Sequence, residues 1–230
     1  MSRAILNRAL LTGLDNSAMQ HIGNQQWLHQ EAMAAFLQLK AALANEGFDL
    51  AVVSAWRSFE RQARIWQAKC LGQRPVFNHA QQRVDVTSLS AQARIEAIML
   101  YSALPGASRH HWGTEIDVYD AAAVPIDYQV KLSTDEYQGD GPFATLAQWL
   151  QQNAADYGFF LPYRAFRGGV AAEPWHLSYQ PLASACQAAL TLQQLQQTLM
   201  DNPIAEQATV LQMLPELYPR FITNICEAEI

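Results

Sequence analysis

A chain of 230 residues, half of them hydrophobic and 16% charged, has enough apolar surface to bury its own core and lacks the composition of a disordered protein. Its net charge of −6 leaves no surplus of Lys and Arg to displace counterions from nucleic acid or an anionic membrane, so a small or peptide ligand is expected instead. The three cysteines, Cys70, Cys186 and Cys226, are odd in number and far apart, a pattern of buried thiols and not of a disulfide framework or a thiolate metal site.

The first nineteen residues carry early arginines, but Asn7 and Arg8 interrupt the apolar run. They read as a short helix or arm and not as a recognisable signal peptide, so the expectation from sequence is a cytoplasmic location that stays open. No window approaches the roughly 18 apolar residues of a membrane span. From Gln30 to Asn45, Met33, Phe36, Leu37, Leu39 and Leu43 recur at near-helical spacing, and Gly47 stops the element. Asp49 to Ala55 is short, apolar and β-branched, hence a strand. Ser58 then starts a helix through Glu60, Gln62, Ile65 and Trp66, with Arg57 at the mouth of the strand-to-helix turn.

Leu71 to Val86 is polar and rich in turn formers, a long surface loop of the kind that edges a binding site. Ser90 to Ser102 is helical by composition, Pro105 and Gly106 make a turn, and His111 to Tyr119 reads as a strand. Phe143 to Tyr157 is an amphipathic helix ended by Gly158, and Trp175 to Tyr179 is a short strand. From Leu182 the chain reads as helical, broken at Pro203, with Val210 to Ile225 as the last amphipathic stretch. No repeat or linker divides it. The expectation is one α+β domain over 1–230: a core at 49–179, an N-terminal helical segment at 1–48 and a C-terminal helical extension at 181–230.

Two segments carry candidate chemistry. SRHHWGTEIDVYD (Ser108 to Asp120) holds two imidazoles and three carboxylates, and AAEPWHLSY (Ala171 to Tyr179) adds Glu173 and His176. Two histidines and one carboxylate make a catalytic zinc shell that keeps a position for water, and a further carboxylate must take the proton from that water. His21, His29 and His79 lack such neighbours and read as structural or exposed.

Three motifs, in order, resemble those of VanY-type D-alanyl-D-alanine carboxypeptidases. Ser54, Arg57, Ser58 and Gln62 fit Ser-x-x-Arg-Ser-x-x-x-Gln. Ser108, His110, Gly113 and Asp117 fit Ser-x-His-x-x-Gly-x-x-x-Asp, and Glu173, Trp175 and His176 fit Glu-x-Trp-His. The resemblance implies a small antiparallel sheet carrying the metal site and backed by helices, the fold shared with the Hedgehog signalling domain. It implies one zinc ion on His110, Asp117 and His176, with Glu173 as general base and then acid. Arg57 would hold a carboxylate or developing oxyanion, with Ser54, Ser58, Gln62, Ser108 and Trp175 as further substrate contacts. The implied substrate is a peptidoglycan stem peptide or muropeptide. That substrate lies outside the cytoplasm, in tension with the unrecognised export signal. Cleavage inside the peptide, or peptide binding without turnover, are the rival readings.

Two features depart from a simple pattern. In an unbroken strand Asp117 would share its face with Glu115, Gly113 and His111, and not with His110. A bulge at Gly113 would return His110 to that face. Glu115 stands where the family usually has a small residue; it is expected near the metal, either bracing a ligating imidazole or forming a pocket wall that bears on substrate choice, and His111 is expected to act beside the ligands or in packing.

Overall fold

The computed structural model describes residues 6–228; residues 1–5, the start of the expected N-terminal arm, lie outside them. Asn7 caps a single helical turn, α1 (Arg8–Leu11), by accepting from the Leu10 N–H. The next element corrects the expectation of a helical N-terminal segment: β1 (Met19–Gly23) and β2 (Gln26–His29) pair as an antiparallel hairpin. Gly23, Asn24 and Gln25 turn it with φ of 97°, 47° and 57°, the left-handed values that a tight hairpin demands and that Gly-Asn accepts at low cost. The first long helix is α2 (Met33–Asn45).

A four-stranded antiparallel sheet forms the centre, in the order β3 (Leu50–Ser54), β4 (Glu115–Asp120), β6 (His176–Tyr179), β5 (Phe159–Phe160). The period-two alternation divides its faces. Ile116, Val118 and Leu177 are fully buried among Phe36, Leu39 and Leu43 of α2 and Leu146 and Leu150 of α5 (Ala144–Asn153). Each such side chain contributes about 1.5–3 kcal/mol by leaving water, so this face anchors the sheet. The opposite face of β4 carries Glu115 and Asp117, and the register sets Glu115 against Ser178, Asp117 against His176, and Ser54 against Asp117 from the other side. Burying so many polar groups is unfavourable unless each finds a partner, and that requirement shapes the site.

A second core lies among the remaining helices. Trp66 of α3 (Phe59–Cys70) and Ile95 and Ile98 of α4 (Ala91–Met99) pack with Leu182 of α6 (Gln180–Ala189), Leu195 and Leu199 of α7 (Leu192–Asp201) and Leu214 of α8 (Gln207–Leu217). Pro203 falls in the break between α7 and α8, as the sequence suggests. Among the described residues no helix is long and apolar enough to cross a membrane.

The expected strand His111–Tyr119 is corrected at its start. Arg109–Trp112 form a 3-10 turn, Gly113 ends it at φ 68°, and the strand begins only at Glu115. Gly113 is therefore a left-handed helix stop and not a bulge, and His110 and His111 leave the sheet's parity altogether. A Cβ on Gly113 would lie 2.4 Å from Met19 Sδ and 2.9 Å from the backbone N of His29. Gly113→Ala is expected to destabilise the protein by about 1–3 kcal/mol through left-handed strain and this contact. Thermal unfolding should show Tm lower by several degrees; an unchanged Tm would mean that the turn relaxes freely.

Candidate metal centre and groove

The polar face of the sheet opens into a groove of about 1010 Å³ whose floor includes His110, Asp117, Glu173 and His176. Ligand-capable atoms of His110, Asp117 and His176 lie within 4.8 Å of one another, and all three residues are buried. Three separate elements bring them there: the 3-10 turn, β4 and β6. Glu173 joins through the turn that starts β6, in which the His176 N–H donates to the Glu173 carbonyl at 3.1 Å. Its Oε2 sits 3.4 Å from His176 Nδ1.

The backbone decides which nitrogen of each imidazole faces inward. His110 Nδ1 lies 2.7 Å from the Ala55 carbonyl, an acceptor, so that nitrogen carries the ring proton and Nε2 presents its lone pair. Burial, followed by the charge of Arg57, lowers the pKa of this imidazole to about 4, so one proton is all it holds near neutrality. Nε2 then faces Asp117 Oδ2 at 3.2 Å, lone pair against carboxylate. His176 is turned the other way: Nε2 donates to Glu115 Oε2 at 2.7 Å, and Nδ1 faces Asp117 Oδ1 at 3.1 Å. That last pair lacks hydrogen-bond geometry, and Oδ1 is buried with no hydrogen-bond partner. An imidazole lone pair and an unpartnered carboxylate oxygen converging on one point call for a cation between them. This N,N,O set fits zinc.

Carboxylates press on His176 from three sides. Burial opposes its charged form, but the close carboxylates of Asp117, Glu115 and Glu173 outweigh burial and raise its pKa well above the ordinary value. Burial likewise opposes the charge on Asp117, yet His110 and His176 hold its carboxyl well below the usual range. Glu173 shifts the other way. Burial raises its pKa, with His176 acting against that rise, which brings the group closer to the range where a carboxylate both accepts and returns a proton.

Glu115 is fully buried and accepts from Thr114 Oγ1, Ser178 Oγ, His176 Nε2 and, at 3.3 Å, Arg109 Nε. Burial disfavours its charge most, but Arg109 and these hydrogen bonds prevail and bring its pKa down to about 2. Arg109, which sequence reasoning passed over, also reaches Ser178 Oγ at 2.8 Å and Gln187 Oε1 at 2.6 Å and lies over the Trp112 ring. Its one signal in the sequence was indirect: a carboxylate buried beside a ligating histidine needs a counter-charge. Tyr163 was also missed; its ring meets His176 edge-on at 5.0 Å and lines the groove.

Arg57 faces the groove with 17% of its side chain exposed. Its Nε donates to Ser54 Oγ, Nη1 to Gln62 Oε1 and Nη2 to Asp117 Oδ2, leaving two of five N–H groups for a ligand. Burial lowers the guanidinium's pKa while Asp117 raises it; an arginine stays charged regardless. Several of the expected substrate contacts have partners within the protein. Gln62 is fully buried, and its Nε2 donates to the Ala103 carbonyl, so it braces Arg57. The Ser58 hydroxyl accepts from the Arg61 N–H and caps α3. Ser54, Ser108 and Trp175 do line the groove, although Ser54 spends its hydroxyl on Arg57.

His111 acts through the backbone. Nδ1 bonds the Arg57 carbonyl at 2.7 Å and Nε2 accepts from the Gly106 N–H at 3.0 Å. Burial lowers its pKa to about 3, so it is a neutral clamp on the loop that carries Arg57.

The antiparallel sheet with this His–Asp–His cluster defines the Hedgehog-like DD-peptidase fold. Two solved structures share it: a VanY D,D-pentapeptidase mutant with Zn(II), at 22% identity and TM-score 0.51 over 73% of this chain and 82% of that one, and VanYB with D-alanine-D-alanine, at 21% identity and TM-score 0.52 over 80% and 88%. The family model VanY, D-alanyl-D-alanine carboxypeptidase, matches residues 25–182, and the chain belongs to that family. An uncharacterized Haemophilus influenzae protein is 31% identical over 121 residues, 52% of this chain and 92% of its own length. The Bacillus subtilis protein YodJ, whose name proposes a carboxypeptidase, is 25% identical over 160 residues, 67% of this chain but 47% of its own.

Three substitutions separate the histidines. His110→Ala is expected to abolish tight zinc binding, and Glu115→Gln to weaken it by about 10–100-fold by loosening the grip on His176. His111→Ala should keep the metal and lose stability instead. Zinc content by mass spectrometry and competition with a chromophoric chelator read all three; loss of zinc in His111→Ala alone would reverse the assignment.

Proposed function

We propose that this chain is a zinc-dependent D,D-carboxypeptidase that removes the terminal residue from a peptidoglycan stem peptide. The observation that carries the reading is the inward convergence of His110 Nε2, His176 Nδ1 and the unpartnered Asp117 Oδ1 beside Glu173. Family membership supports it, as do the relatives described with Zn(II) and with D-alanine-D-alanine. Zinc held by His110, Asp117 and His176 would supply Lewis acidity, making water a nucleophile near neutral pH and polarising the scissile carbonyl.

The remaining work falls to the protein. Glu173 takes a proton from the attacking water and delivers it to the leaving amine, which its raised pKa and its place beside the centre favour. Arg57, braced by Ser54 and Gln62, directs its two spare N–H groups at the oxygen that gains charge. Asp117 keeps that guanidinium in register. A groove of about 1010 Å³ holds more than a dipeptide, in keeping with a stem peptide. The whole of 1–230 is taken as one unit, because the helices after residue 181 share a core with α3 and α4.

Glu173→Gln retains size and hydrogen-bonding shape but cannot accept the proton. Its kcat on a stem pentapeptide is expected to fall by about 10²–10⁴ with little change in KM or zinc content. Equal cleavage by wild type and variant would remove Glu173 from the chemistry. Zinc and peptide binding with no cleavage by either would make the protein a binding module.

A further inference from the structure

Three cations on one wall of the groove have no part in this chemistry. Arg61, Lys69 and Arg74 all line it, and among the described residues their side chains have no hydrogen-bond or ion-pair partner. Arg61 and Lys69 are half-buried and Arg74 is exposed, whereas other half-buried or buried cations are matched: Arg57 with Asp117, Arg94 with Glu206 and Arg109 with Glu115. Nor is the wall a by-product of a basic composition, since the chain carries a net charge of −6.

Arg61, Ile65 and Lys69 recur every fourth residue of α3 and so share one face. Eight residues of helix separate Arg61 from Lys69 by about 12 Å. Lys69 is half-buried and feels the charges of Glu173, Arg57 and Arg74, which sets it within the field of the reaction centre. Burial is the main cause that lowers its pKa to about 8, with Glu173 opposing and the two arginines assisting. A sheltered ammonium next to two guanidinium groups lacks an anion.

We propose that Arg61, Lys69 and Arg74 form a subsite for carboxylates that the peptide carries at positions removed from the bond cut. The proposal rests on the peptidase reading above and adds a preference to it. One extended residue spans at most about 3.3–3.6 Å, so a row of about 12 Å runs along some three residues of peptide. The carboxylate of the released residue alone would leave most of it unmatched. Free-acid peptides therefore bind better than the same peptides with those carboxylates amidated. The preference is electrostatic and declines with salt.

The test uses two synthetic pentapeptides ending in D-alanyl-D-alanine, one with glutamyl and one with glutaminyl side chains before that dipeptide. Calorimetry on the full chain carrying Glu173→Gln gives both affinities without relying on turnover, and wild-type kinetics run in parallel. At low salt the acid form is expected to bind about five- to tenfold more tightly, a ratio in keeping with partly sheltered charge pairs. Adding Lys69→Met, Arg61→Gln and Arg74→Gln should bring the ratio close to one, whereas Lys40→Met, at an exposed lysine outside the groove, should leave it unchanged. A ratio near one in the parent, or a preference that survives loss of all three subsite cations, overturns the subsite. A preference that depends on those cations in a protein that cleaves neither peptide upholds the subsite and overturns the hydrolytic reading.

Discussion

The hydrogen bond from His176 Nε2 to Glu115 is the contact on which the rest of the centre depends. It fixes the ring so that Nδ1, and not Nε2, points toward Asp117 and Glu173. A buried carboxylate is tolerable only with partners, and Arg109, Ser178 and Thr114 supply them. Those partners come from the 3-10 turn, from β6 and from the start of β4. The register Glu115↔Ser178 and Asp117↔His176 therefore serves packing and chemistry at once: a slip of one residue would move both carboxylates to the apolar face.

A second set of contacts ties the arginine to the metal ligands. The Ala55 carbonyl takes the His110 proton, the Arg57 N–H donates to the His110 carbonyl, and His111 holds the Arg57 carbonyl. Trp56 adds its indole N–H to the His111 carbonyl. The loop after β3 and the turn before β4 are thus interlocked by four bonds over three residues of one and two of the other. A guanidinium placed this way is positioned before a ligand arrives, so little reorganisation is required at the moment of reaction.

Much of this was legible in the sequence where pattern and chemistry coincide. The β-branched run 49–55, the Ser58 cap and the amphipathic stretch after Phe143 each became the element they suggest. Of the motif residues, Ser54, Arg57, Ser108, His110, Asp117, Glu173, Trp175 and His176 line one groove. What escaped was set by contacts distant in sequence. The hairpin at 19–29 was hidden by weak alternation, although Gly23-Asn24 was a usable turn signal. His110 was named by the motif and set on the metal face by assuming a bulge in a strand, whereas the backbone there is a 3-10 turn stopped by Gly113. Gln62 hydrogen-bonds Arg57 and Ser58 caps α3, contacts that the motif alone does not reveal. Arg109 could be inferred only by asking what neutralises Glu115.

The central claim is that backbone and carboxylate partners orient the two imidazoles in opposite senses around one metal position. Long-range 1H–15N spectra of the protein with and without zinc test it directly. The account predicts that zinc shifts Nε2 of His110 and Nδ1 of His176, while His110 Nδ1 and His176 Nε2 keep their protons. Coordination of both rings through Nε2, or retention of a proton on His176 Nδ1 in the zinc-loaded protein, would contradict it.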